Sequence, residues 1–166
     1  MKSLVIYFSR ADENYSVGYI EKGNTEVIAE YISDITNNAD LFKVEPLNPY
    51  SKDYATCINE AKERQRNHNA PIALPVPSIS DYEVIYIGSP IYWGTMPEEL
   101  FTALEGLDFT GKTIKVFTTH EGSGLGNVLN DVKRICTGAS VSDNGLAIQG
   151  SSVKTAKDRV ESWINS

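Results

Sequence analysis

The sequence predicts an α/β fold: a doubly wound parallel sheet with helices on both faces. Three observations carry that expectation. The apolar runs at residues 4–8 and 84–87 are continuous rather than alternating, as in strands buried on both faces. Between such runs, apolar residues recur at helical spacing. This alternation continues through all 166 residues without a composition break, repeat or low-complexity segment. One domain over 1–166, built from five βα units, is therefore expected.

Residues 4–8 form the first strand. Val27, Ile28, Tyr31, Ile32 and Ile35 mark one face of the helix that follows. Residues 40–45 are more polar, suit an edge strand and stop at Pro46. Residues 54–66 read as a helix that is polar over much of its surface. Residues 67–80 hold Pro71, Pro75 and Pro77 and form no regular element. A loop of that length either serves function or packs across the sheet edge. The third strand, 84–87, leads to a helix carrying Leu100, Phe101 and Leu104. The fourth, 114–117, leads to a helix with Val128, Leu129, Val132, Ile135 and Cys136 on one face. Residues 146–148 make a short fifth strand. Val153, Ala156, Val160, Trp163 and Ile164 mark the closing helix. Right-handed crossovers leave few topologies for such a chain.

The formal net charge of −7 speaks against nucleic acid or an anionic membrane as the main partner. No apolar run reaches 18 residues, so no spanning helix is expected. The N-terminus enters a strand without a signal-peptide cleavage site, and the expected location is cytoplasmic. Cys57 and Cys136 fall in separate helices without CxxC spacing. His68 and His120 form no pair at helical spacing. Neither a disulfide framework nor a metal site is expected.

Parallel strands place all their βα loops at one edge, where open α/β sheets bind ligands. Three of those loops carry unusual residues. The first, 9–25, ends in Gly23-Asn24-Thr25. Free N–H groups and hydroxyls at a helix start bind phosphate; an N-cap is the other use of Asn24 or Thr25. The second displays Tyr92 and Trp93 just after the third strand, with Pro97, Glu98 and Glu99 opening the next helix. The two rings suit a flat, π-rich ligand, or they cap the core. The third, 118–126, contains G-x-G-x-G. That is neither the GxGxxG of dinucleotide folds nor a G-x-S-x-G nucleophile elbow. Ser123 and His120 lack the acidic orienter of a hydrolase triad. Together the loops outline a ligand with phosphate at one end and a flat ring at the other.

On these residues the chain resembles flavodoxins, in particular flavodoxin-like bacterial proteins. The shared elements are Ser9-Arg10, Gly23-Asn24-Thr25, the loop from Gly88-Ser89-Pro90 through Ile91-Tyr92-Trp93-Gly94, and Thr-x-x-Glu-Gly-Ser-Gly at 118–124. The resemblance covers nearly the whole chain. It implies strand order 2-1-3-4-5 and non-covalently bound FMN. Carried over, Ser9, Asn24 and Thr25 hold the phosphate, with Arg10 beside them. Pro90, Ile91, Tyr92, Trp93 and Gly94 flank the ring and ribityl chain. Thr118, Thr119, His120, Glu121, Gly122 and Gly124 form the other border. Of the aromatic pair, Trp93 is expected beside the ring. One departure stands out: residues 10–22 are inserted before the phosphate loop and bring Asp12, Glu13 and Glu21, which would repel phosphate if turned inward.

The expected function is that of an FMN-binding flavodoxin-like redox protein. It passes electrons to a partner protein or, alternatively, acts as an NAD(P)H-dependent reductase of quinones or other small acceptors. Glu98, Glu99 and Glu121 are expected to form an acidic rim that steers a basic partner. A receiver domain of the same topology would need an acidic cluster where Ser9 stands and a phosphoacceptor where Ser89 stands.

Overall fold

The computed structural model describes residues 2–14 and 17–166; Tyr15 and Ser16, inside the inserted segment, lie outside the described residues. The chain runs β1 (Ser3–Tyr7), β2 (Asp12–Asn14), β3 (Gly18–Ile20), α1 (Asn24–Ile35), β4 (Asp40–Lys43) and α2 (Tyr54–Asn67). It continues with β5 (Val84–Pro90), α3 (Glu98–Leu104), β6 (Thr113–His120), α4 (Val128–Ile135), β7 (Ser140–Val141) and β8 (Leu146–Gln149). A 3-10 turn (Gly150–Thr155) and α5 (Lys157–Ile164) close it.

The main sheet is parallel in the order β4-β1-β5-β6, with β7 and β8 both on the far side of β6. In terms of the five expected units this is 2-1-3-4-5. The fifth strand is split: β7 pairs with Thr113 and Ile114, while β8 pairs with residues 117–120.

Successive side chains of a strand point to opposite faces, so each buried strand feeds two cores. Leu4, Ile6, Ile85, Ile87, Ile114 and Val116 pack with Leu100, Leu104, Val128 and Val132 on one side. Val5, Tyr7, Tyr86, Phe117 and Ile148 pack with Ile28, Ile32, Val160 and Trp163 on the other.

The inserted segment holds a short antiparallel hairpin, β2 with β3, which the sequence pattern did not show. Asp12 sits there at φ 65, and the Asn14 amide donates to the carbonyls of Arg10, Ala11 and Asp12. The Pro-rich loop lies along the sheet edge. Leu47 N donates to Pro71 O and Ala73 N to Glu45 O, which extends the β4 margin. Among the described residues no helix is long and apolar enough to cross a membrane.

Candidate functional site

The loops after β1, β5 and β6 converge at the C-terminal edge of the sheet. At the first, β1 hands the chain to Ser9, whose hydroxyl accepts from Glu26 N at 3.0 Å. Ser9 thus caps α1 from another part of the chain. The N-cap position itself is Gly23, with no side-chain cap bond, so neither Asn24 nor Thr25 serves as the cap. Both lie inside the first turn. Thr25 is buried and its hydroxyl meets that of Thr119 at 2.8 Å. The Asn24 amide has no hydrogen-bond partner among the described residues and borders the cleft described below.

The second loop is a tight two-residue turn. Tyr92 N donates to Thr95 O at 2.6 Å and Thr95 N to Tyr92 O at 3.3 Å. Trp93 and Gly94 both have positive φ, 51 and 85, as a type I′ connection requires. The turn is pinned to the third loop: Asn127 N donates to Gly94 O at 2.8 Å, and Thr95 Oγ1 donates to Asp131. A Cβ at Gly126 would stand 2.7 Å from Gly94 O, so only glycine lets these loops close.

The two rings diverge. Tyr92 turns inward and packs edge-on against Phe8 at 5.6 Å and Tyr50 at 5.8 Å. Among the described residues its buried hydroxyl has no geometric hydrogen-bond partner, and burial pushes its pKa well up. Trp93 stays 47% exposed; its Nε1 donates to Ile58 O at 2.7 Å, and the Lys62 ammonium lies 4.8 Å from its ring centre.

In the third loop Thr118 Oγ1 donates to Gly124 O, and Gly122 N donates to His120 Nδ1 at 2.9 Å. That bond leaves Nε2 as the ring's donor position.

These loops border an open cleft of about 310 Å³, within the usual range for small-molecule sites. Of the residues named from sequence, Arg10, Asn24, Thr25, Pro90, Ile91, Tyr92, Trp93, Thr119, His120 and Glu121 line it. Ser9, Gly94, Thr118, Gly122 and Gly124 do not; they build the loops. The Arg10 guanidinium donates to Lys52 O, just ahead of α2.

Sequence reasoning missed the wall that α2 supplies, against which Trp93 packs. Tyr54, Cys57, Ile58 and Ala61 of α2 form it, with Asn14 of the hairpin and Ser123 completing the lining. Those four α2 positions are spaced i, i+3, i+4, i+7, a stripe that could have revealed the wall. Burial pushes the Cys57 thiol pKa up, so the wall is chemically quiet.

The acidic rim needs correction. Glu98 and Glu99 are 8% and 0% exposed. They pair with His68 and Arg64, so neither faces solvent as a steering charge. Glu121 does border the cleft. A Cβ at Gly150 would stand 1.9 Å from its Oε1 and 2.6 Å from Asn24 Nδ2, so the carboxylate and the amide share the space over that glycine. Of the other inserted acids, Glu21 is exposed and Asp12 half-buried. No cluster of three metal-ligating side chains occurs among the described residues.

A family model described as Flavodoxin matches residues 2–166. No curated protein sequence matches the chain. Solved structures share the fold. A Bacteroides uniformis protein described as a candidate flavoprotein is 23% identical, with TM-score 0.72 and coverage of 99% of this chain and 98% of that one. A Lactobacillus acidophilus flavoprotein solved with FMN is 21% identical (TM-score 0.67, coverage 93% and 97%). A Fusobacterium nucleatum flavodoxin bound to FMN is 15% identical (TM-score 0.57, coverage 99% and 96%).

Proposed function

The chain belongs to the flavodoxin family, and from that premise we propose that it is an electron-transfer protein carrying non-covalently bound FMN. The observation that supports this best is the cleft itself. One end opens on the first turn of α1 with an uncommitted Asn24 amide; the other is bordered by Tyr92, Trp93 and His120. The donor set fits the group. Amide and backbone N–H groups at a helix start suit phosphate, and aromatic side chains with a polar imidazole suit a flat heteroaromatic ring. The solved relatives that carry FMN are consistent with it.

FMN, when bound, supplies the redox chemistry. The chain's residues bind and orient it. Asn24 and the N-terminal turn of α1 take the phosphate. The turn at 92–95, held rigid by its bonds to Asn127 and Asp131, presents one wall to the ring. His120, with Nδ1 engaged by Gly122 N, keeps Nε2 to donate into the cleft. The α2 wall, joined to the turn by the Trp93–Ile58 bond, shields the cleft from water along its length.

A second reading, reduction of quinones or other small acceptors with NAD(P)H, is favoured by one feature. The α2 stripe and Asn14 line the cleft in addition to the three βα loops. The visible spectrum of protein saturated with FMN, followed by anaerobic reduction with and without NADPH, tests both. A free-flavin spectrum would refute FMN binding. Rapid bleaching by NADPH alone would favour the reductase; bleaching only with a reducing partner protein would favour the carrier.

A further inference from the structure

Behind the Tyr92 ring lies a charge pair that the proposed function does not use. Glu99, in the first turn of α3, is fully buried. Arg64 of α2 donates to its Oε2 at 2.7 Å and is itself 15% exposed. Tyr50 donates to Oε1, also at 2.7 Å, and the Arg64 guanidinium stacks 3.9 Å from the Tyr50 ring centre. Tyr50 in turn meets Tyr92 edge-on at 5.8 Å and Phe8 at 6.2 Å. One contiguous set of contacts therefore runs from the buried pair to the wall of the cleft. Burial and the Glu99 charge together raise the Tyr50 pKa, so its phenol stays a donor.

Stability alone does not call for such a pair. Well-packed apolar residues of similar volume often do as well, whereas removing one partner leaves an unbalanced charge in a medium that screens it poorly. Placed one ring away from the cleft, either unbalanced charge would reach a ligand at the Tyr92 end.

We propose that Arg64 and Glu99 are a positioning pair for the ring end of the cleft: through Tyr50 they fix the Tyr92 ring and keep the charge behind it balanced, so that the potential of bound FMN depends on both partners with opposite sign. This rests on the reading that FMN lies in the cleft with its ring at the 92–95 turn. Glu99→Gln leaves the guanidinium unbalanced, which favours the more negative, reduced flavin. Arg64→Met leaves the carboxylate unbalanced, which disfavours it. A merely structural defect would carry no such sign.

The test is an anaerobic spectroelectrochemical titration of each FMN-loaded variant at pH 9. Glu99→Gln raises the midpoint potential and Arg64→Met lowers it. The ratio of affinities for oxidised and reduced FMN changes at least about threefold in opposite directions, and the double variant returns toward the parent. Shifts of the same sign, or none, overturn the proposal. A second measurement needs no flavin: the fluorine resonance of Tyr92 in 3-fluorotyrosine-labelled protein, assigned through Tyr92→Phe. It moves in Glu99→Gln, in Arg64→Met and in Tyr50→Phe, which keeps the ring and serves if a charge variant does not fold. A resonance fixed in every folded variant overturns the positioning role. If the parent protein binds no FMN, the functional reading fails separately and the fluorine spectra decide the positioning role.

Discussion

Glu121 is the sharpest place to test which end of the cleft takes phosphate. Its carboxylate and the Asn24 amide converge over Gly150, where a Cβ would touch both. A phosphate drawn to Asn24 would therefore meet a negative charge. Two unit charges about 5 Å apart at an effective dielectric of about 20 repel by about 3 kcal/mol. Glu121 is half-exposed, so solvent screening reduces this to about 1 kcal/mol, roughly a fivefold change in affinity. Glu121→Gln keeps the shape and removes the charge. FMN should bind the variant roughly fivefold more tightly, while riboflavin, which lacks the phosphate, should bind as before. Fluorescence-quenching titrations with both ligands measure this. Repeating them near 1 M salt, where the Debye length falls to about 3 Å, should narrow the difference. An equal change for both ligands, or weaker FMN binding by the variant, would refute the assignment of this end to phosphate.

Asn24→Ala alone should weaken FMN more than riboflavin in the same titrations, because Thr25 is already committed to Thr119 and Asn24 is the uncommitted donor. Trp93→Ala removes the bond to Ile58 O and the Lys62 contact; it should lower stability by about 1 kcal/mol in urea denaturation and weaken FMN by about tenfold. Glu98 has its pKa raised above the ordinary 4.5 by burial, which the His68 contact only partly offsets. A carboxyl raised in the folded state contributes stability that is complete below 4.5 and is lost as pH rises through the folded value. Urea midpoints should therefore show the parent losing ground to Glu98→Gln as pH climbs from 4.5 toward neutrality, and parallel profiles would count against the burial argument.

The strands and helices were legible because each carries its own signal. Residues 4–8 and 84–87 are unbroken apolar runs, and Val27, Ile28, Tyr31, Ile32 and Ile35 keep helical spacing. The 92–93 and 118–126 loops were legible as loops, since glycine and aromatic residues follow strand ends. The β2–β3 hairpin was not. Its strands are three residues long, without apolar alternation, and rest on backbone pairing and a left-handed Asp12. The fate of Glu98 and Glu99 was hidden for a different reason. In sequence they are first-turn acids, an ordinary exposed placement. Their partners, His68 just after α2 and Arg64 within it, come 30 and 35 residues earlier, and only packing of α2 against α3 brings them together.

That burial changes how the acidic character of the chain bears on electron transfer. A net charge of −7 acts at a distance and is screened by salt; of the charges at the ring loops, Glu98 and Glu99 are paired, Lys62 lies over Trp93, and Glu121 keeps its carboxylate at the cleft. Steering of a basic partner by the ring loops thus loses its two strongest local charges. What the site has instead is order. Ser9 caps α1, Thr25 bonds Thr119, Gly94 accepts from Asn127 and Thr95 bonds Asp131, so each loop is tied to another element. A ligand entering such a cleft spends little binding energy on ordering loops. The Thr25–Thr119 bond joins the phosphate end to the ring end directly, so substitutions at the two ends should couple rather than add. A double-mutant cycle between Thr25→Val and Thr119→Val reads that coupling through FMN affinity.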